Sequence, residues 1–169
     1  MSEETPLERL NLAEAAQAER ALLACCASRR WADELLARRP YPDLDVLRRV
    51  SHTVLDALTW DDVAEALAAH PRIGERAGGT GREAAWSRAE QAGVAMSSAT
   101  TQEDLVAGNV AYEERFGYVF LICATGLSGE AMLNALRVRF GNDPETERGV
   151  VRAELAKIVD LRLGKAFAS

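Results

Sequence analysis

The chain has two histidines, His52 and His70, and His70 opens the run His70-Pro71-Arg72-Ile73-Gly74. Proline restricts the backbone of the residue before it and brings no N–H of its own, so His70 is expected where a helix ends. There the negative end of the peptide dipole favours the protonated ring, which can donate a proton near neutral pH. The same ring can equally serve as a plain C-terminal cap. A second group of interest is Trp86-Ser87-Arg88-Ala89-Glu90-Gln91. On a helix Ser87, Glu90 and Gln91 stand at i, i+3 and i+4, so a hydroxyl, a carboxylate and an amide share one face. That set matches a ligand rich in N–H and C=O groups, although an ordinary solvated face has the same make-up. The third group is Asn109-Val-Ala-Tyr112, followed by Arg115-Phe-Gly117 and the apolar run Tyr-Val-Phe-Leu-Ile-Cys-Ala at 118–124. An apolar run after a glycine can carry unpaired backbone N–H groups to a ligand. It can also be a core element, with Asn109 and Tyr112 satisfied locally.

The composition narrows what these groups can serve. The chain has 169 residues, of which 48% are hydrophobic, enough for a sizeable core. Twenty Lys and Arg against 26 Asp and Glu leave a net charge of -6, which argues against a nucleic-acid partner, since that affinity rests on excess cations. The run at 118–124 is far shorter than the roughly 20 apolar residues that cross a bilayer. The first residues, Met-Ser-Glu-Glu-Thr-Pro, are acidic where a secretion signal is basic and then apolar, so a soluble, intracellular protein is expected. Cys25 and Cys26 are adjacent and Cys123 is distant, which fits neither a disulfide framework nor a zinc site. With so few histidines no His-rich metal site is expected. Lys157 and Lys165 are the only lysines, so candidates for Schiff-base chemistry are few.

Thirty alanines and few strand-like runs point to an all-α fold. The expectation is a single compact multi-helix domain over residues 1–169, with about seven to nine helices. Asn11, with Glu14 three residues on, reads as the cap of a helix running through Leu22, Leu23 and Cys26. Ser28 caps a short helix carrying Trp31, Leu35 and Leu36, stopped by Pro40 and Pro42. Asp43 caps a third, with Leu44, Leu47, Val50, Val54, Leu55 and Leu58 as its core stripe. Thr59 with Asp62 starts a fourth, with Val63 and Leu67 inward and its end near His70. Four glycines in the eight positions 74–81 make that stretch a loop. Helices then follow from Arg82 to Gly93 and from Thr100 or Thr101 to Phe116. The run at 118–124 reads as buried helix or extended core, because no partner strand is visible. Ser128 caps a helix holding Met132, Leu133, Leu136 and Val138, ended by Gly141. Asp143-Pro144 opens the last, which runs to about Ala166 and buries Val151, Leu155, Ile158, Val159 and Leu163.

Taken in order, His-Pro-Arg-Ile-Gly at 70–74, Ser-x-x-Glu-Gln at 87–91, Asn-x-x-Tyr-x-x-Arg-Phe-Gly-Tyr-Val-Phe-Leu-Ile-Cys-Ala at 109–124 and Lys-Ile-x-x-Leu-Arg-Leu at 157–163 form one pattern. It resembles the OHCU decarboxylases, the 2-oxo-4-hydroxy-4-carboxy-5-ureidoimidazoline decarboxylase family. The similarity spans nearly the whole chain, from about Leu10 to Phe167. The resemblance implies an all-α, cofactor-free, metal-free enzyme, usually a homodimer, that completes the conversion of urate to (S)-allantoin with release of CO2. It places the catalytic pair on His70 and Glu90. It places substrate contacts on Pro71, on Ser87, Arg88, Ala89 and Gln91, on the wall Phe120, Leu121, Ile122, Cys123 and Ala124, and on Arg162. Two departures stand out: Leu127 sits where many members carry a base, and the Gly-Gly-Thr-Gly loop at 78–81 is a local variant. The chain ends Ala-Phe-Ala-Ser without a peroxisomal signal, so the cytoplasm is the expected compartment.

The implied chemistry is consistent with the residues. The electron pair left by departing CO2 can enter the ring's conjugated C–N and carbonyl groups, so no pyridoxal, thiamine or metal is required. His70 would then act as general acid, and Glu90 would hold His70 or a ring N–H. Ser87 and Gln91 would take the ureido arm, backbone groups at 122–124 the ring carbonyls, and Arg162 an anionic oxygen. Three other readings stay open. One is a helical module that binds a ureide or purine without turning it over. Another is a helical regulator of transcription, although the acidic first 60 residues offer no convincing basic recognition helix. The third is a different cofactor-free lyase or hydrolase acting on a related heterocycle.

Overall fold

Side-chain caps set where most of the helices begin. A computed structural model describes residues 2–75 and 81–169 and is all-α, with ten helices and no strand among the described residues. The chain forms two compact units: residues up to Ala66 together with Ala156–Ser169, and Leu67–Leu155.

The first unit opens with α1 (Pro6–Leu12), where Thr5 and Glu8 form a capping box. Asn11, expected as a cap, lies inside α1 instead. Its amide donates to the Tyr41 carbonyl and accepts the Tyr41 N–H, each at 2.8 Å. Thr5 wins because Pro6 at the first helical position and Glu8 at the third complete the reciprocal pair earlier in the chain. Glu14 then precedes α2 (Ala15–Cys25) without a side-chain cap. Ser28 caps α3 (Arg29–Ala37) and Asp43 caps α4 (Leu44–Ala57), both as the sequence predicts. The indole of Trp31 donates to Ser51 Oγ at 3.0 Å, and both residues are fully buried. Thr59 and Asp62 hydrogen-bond to each other at the start of α5 (Trp60–Leu67), and Val63 faces inward.

The second unit holds α6 (Arg82–Glu90), the single turn α7 (Ala92–Ala95), α8 (Ala99–Phe116), α9 (Gly129–Phe140) and α10 (Pro144–Phe167) as far as Leu155. The helices exceed the expected seven to nine because α1 stands apart from α2 and Gln91 divides α6 from α7. On α9 Val138 is 73% exposed: Leu136 and Arg139 take the inward positions, and a residue two on from Leu136 projects to the far side of the helix. Gly117 ends α8 in the left-handed region (φ 83°), closing the helix through a 2.8 Å bond to the Glu113 carbonyl. After it, residues 118–124 form neither helix nor strand. Tyr118, Phe120, Ile122 and Ala124 nevertheless pack into one apolar cluster with Ile73, Val94, Leu105, Tyr112, Met132, Leu133 and Leu136. A shared face at every second residue is the mark of extended backbone. The extended alternative is therefore the one realised.

The second unit also buries a carboxylate completely. Glu147, 0% exposed, accepts from Tyr112 Oη at 2.9 Å, Arg139 Nε at 2.7 Å and Asn142 Nδ2 at 3.1 Å. No helix of the described residues is long and apolar enough to cross a membrane.

Two outcomes follow. Arg139→Met leaves Glu147 as a buried, uncompensated charge and should lower unfolding free energy by about 3–5 kcal/mol in urea melts; a loss below about 1 kcal/mol would show that the charge has other support. The three tyrosines all titrate high. Burial pushes the Tyr41 phenol from 10.0 up to about 12, and burial with the Glu147 carboxylate pushes Tyr112 above its ordinary value. Burial raises Tyr118 as well. The folded state thus prefers neutral phenols. Their contribution to stability is complete below pH 10 and is lost as pH rises through the native values. Tyrosinate absorbance at 295 nm should stay low in native protein at pH 10.5 and be more than half developed in urea-unfolded protein at the same pH.

Candidate active site

Past α5 the chain turns, and the His70 N–H donates to the Leu67 carbonyl at 3.0 Å. His70 and Pro71 are both half-buried. The three residues after them have no helix to satisfy their backbone, and side chains take its place. Gln91 Oε1 accepts the Gly74 N–H at 3.0 Å, and Gln91 Nε2 donates to the Arg72 carbonyl at 3.4 Å. Asn109 Nδ2 donates to the Ile73 carbonyl at 2.6 Å. The Arg72 guanidinium grips Glu113 through two bonds, at 2.6 and 3.2 Å. Glu113 holds the Arg72 charge in place and raises its pKa further above the ordinary value. The segment after His70 is thereby fastened to the end of α6 that carries Glu90 and to the middle of α8.

On α6, Ser87 is buried at 7% exposure, Arg88, Glu90 and Gln91 are half-buried, and Ala89 is exposed. Ser87, Arg88 and Gln91 line a cavity of about 410 Å³ together with Gly74, Glu75, Val94 and Gln102. Gln91 uses one donor and one acceptor on the loop and keeps one of each. Its neighbour turn, α7, packs tightly: a Cβ on Gly93 would run into the Leu127 carbonyl oxygen, so only glycine fits there. Leu127 itself packs against the apolar cluster.

Phe120, Leu121, Ile122 and Ala124 are buried and Cys123 is half-buried. Arg139 Nη1 donates to the Leu121 carbonyl at 2.7 Å, and the Cys123 N–H donates to Glu154 Oε1 at 3.2 Å. Between these two anchored residues, no described residue hydrogen-bonds to the N–H or C=O of Ile122. Asn109 Oδ1 is likewise buried without a partner among the described residues. Each such group costs about 1–3 kcal/mol if left unsatisfied. A donor and two acceptors set among apolar side chains are what a ureide or cyclic amide would complement.

Three of the four motifs named from the sequence thus come together in Leu67–Leu155. Arg162 belongs to the other unit, buried at 6% on α10, where its charge offsets part of the burial that pushes the Cys26 thiol up to about 12. The glycine-rich variant at 78–81 lies, except for Gly81, outside the described residues. Among the described residues no three His, Cys, Asp or Glu side chains gather as metal ligands would. Sequence reasoning did not single out Arg139, Glu147 or Glu154. Their signal was present: Glu147 and Glu154 fall on the same three- and four-residue spacing as Val151, Leu155 and Ile158, so they are charges written into an apolar stripe.

With this geometry established, comparison with known proteins assigns the family. The sequence profile for OHCU decarboxylase matches residues 11–164. The uric acid degradation bifunctional protein TTL of Arabidopsis thaliana is 31% identical over 85% of this chain, which spans only 45% of that protein's length. The 2-oxo-4-hydroxy-4-carboxy-5-ureidoimidazoline decarboxylase of Amia calva is 33% identical, with 74% of this chain and 73% of that one covered. Among solved structures, an OHCU decarboxylase crystallised in the presence of (S)-allantoin superposes with a TM-score of 0.75 at 29% identity, covering 87% of this chain and 96% of the other. The ordered motifs, the all-α fold and these likenesses agree: the chain belongs to the OHCU decarboxylase family.

Proposed function

We propose that this chain releases CO2 from 2-oxo-4-hydroxy-4-carboxy-5-ureidoimidazoline and forms (S)-allantoin, the reaction for which its family is named. The observation that carries the reading is the fastening of residues 72–74 by Gln91 and Asn109, which ties the His70 loop to the Ser87–Glu90–Gln91 face beside the cluster holding Ile122. In the reaction the bond from the ring carbon to the carboxylate breaks, CO2 departs, and the electron pair enters the ring's C–N π-system. A proton delivered to one face then sets the (S) centre. His70 is the general acid that supplies it, and Glu90 orients His70 or a ring N–H. Ser87 and the unused donor and acceptor of Gln91 bind the ureido arm, with Arg88, Ala89 and Pro71 bordering it. The Ile122 N–H and C=O pair with the ring amide, and Phe120, Leu121, Cys123 and Ala124 complete the wall. The apolar surroundings strengthen each of these hydrogen bonds relative to water. The same reading takes the chain to act as a homodimer, as the family resemblance implies.

Positioned proton transfer is worth about 10²–10⁴-fold, so His70→Asn should lose at least about 10²-fold in kcat with an unchanged helical circular-dichroism spectrum. Glu90→Gln should lower kcat in the same assay, in which freshly generated substrate is supplied and allantoin chirality and CO2 are followed. Stereospecific turnover surviving in His70→Asn removes it as the acid; an unaltered rate in Glu90→Gln reduces that residue to a bystander. Wild-type protein that binds allantoin but evolves no CO2 would instead be a binding module. Light scattering should return twice the 18.4 kDa of one chain, and a monomer mass would refute the dimer.

A further inference from the structure

Resting on the reading of residues 120–124 as the substrate wall, we propose that Glu154 is a positioning residue that, with Arg139, turns the Ile122 peptide edge toward the substrate. In extended backbone the C=O of one residue and the N–H of the residue two further on face the same side, and the residue between faces the opposite one. Arg139 holds the Leu121 C=O at 2.7 Å and Glu154 the Cys123 N–H at 3.2 Å, so both anchors act on the same side of the run. The Ile122 N–H and C=O are thereby directed the other way. A slip of one residue would exchange the two edges and present the wrong one.

The two anchors differ in kind. Arg139 is itself locked, by Glu147 at 2.7 Å and by stacking of its guanidinium 4.5 Å from the Phe120 ring centre. Glu154 holds the run directly, from α10, and is 9% exposed. An ionised carboxylate only accepts hydrogen bonds, so it meets the Cys123 peptide by taking its N–H. Packing by itself could be served on this stripe by leucine, as at Leu155; holding the register could not. Glutamine keeps an acceptor oxygen in nearly the same place.

The test uses the full chain as wild type, Glu154→Gln and Glu154→Leu. Glu154→Leu should raise KM about tenfold with kcat within about threefold, the pattern of lost uniform binding, and Glu154→Gln should restore KM to within about twofold of wild type. A purely structural defect would lower the active fraction, seen as reduced kcat at unchanged KM, and that result overturns the proposal. In wild type, titrating ¹⁵N-labelled protein with (S)-allantoin should shift the Ile122 amide and leave the Cys123 amide near its starting position. This measurement decides the matter should Glu154→Leu fail to fold. A Cys123 shift with Ile122 still refutes the anchoring scheme, as does normal KM in a folded Glu154→Leu. Silence of every amide at 120–124 defeats the prior reading of the wall itself.

Discussion

Backbone amides and carbonyls that leave a helix and stay buried must find other partners, and in Leu67–Leu155 long polar side chains meet that requirement. Helices satisfy their own backbone. Two pieces that do not, the loop at 72–74 and the run at 118–124, lie next to or within motifs singled out from the sequence. Gln91 and Asn109 serve the first; Arg139 and Glu154 serve the second. Each replaces regular pairing with a side chain of one length and one geometry. The non-helical segments therefore occupy fixed positions without belonging to a sheet.

Glu147 underlies half of this arrangement. A carboxylate with no exposure is expensive unless it is paired and hydrogen-bonded, and three donors from Tyr112, Arg139 and Asn142 meet that need. The same bonds bring α8, α9 and the start of α10 to one point. Tyr112 then forms edge contacts with Tyr118 and Phe120, at 5.9 and 5.2 Å between ring centres, so the hydrogen-bonded hub continues directly into the aromatic side of the run. Polar anchoring and apolar packing act on the same residues.

A decarboxylation whose electron pair is absorbed by the substrate's own ring asks little of a protein: a proton source, an orienting carboxylate and edges that read amides. The second unit offers a histidine at a helix end, a carboxylate one turn from a buried serine, and peptide groups set among apolar side chains. Leu127 contributes its side chain to the apolar cluster. Its backbone carbonyl, packed against Gly93, fixes how closely α7 approaches.

Local chemistry was legible in the sequence wherever one residue acts on its near neighbours. Ser28, Asp43, Thr59, Ser128 and Asp143-Pro144 announced helix starts because caps act within three residues. Pro71 announced an end, and apolar spacing picked out Leu47, Val63 and Leu155 as core. Asn11 failed as a cap because its preference competes with a better local pair, and its true partner, Tyr41, lies thirty residues away. What only the tertiary structure decided was the pairing of distant polar groups: Gln91 with the loop, Asn109 with Ile73, Glu154 with Cys123. Spacing along a helix shows that such a side chain faces inward. It carries no information on which backbone atom it will meet, because that is set by how separate elements pack.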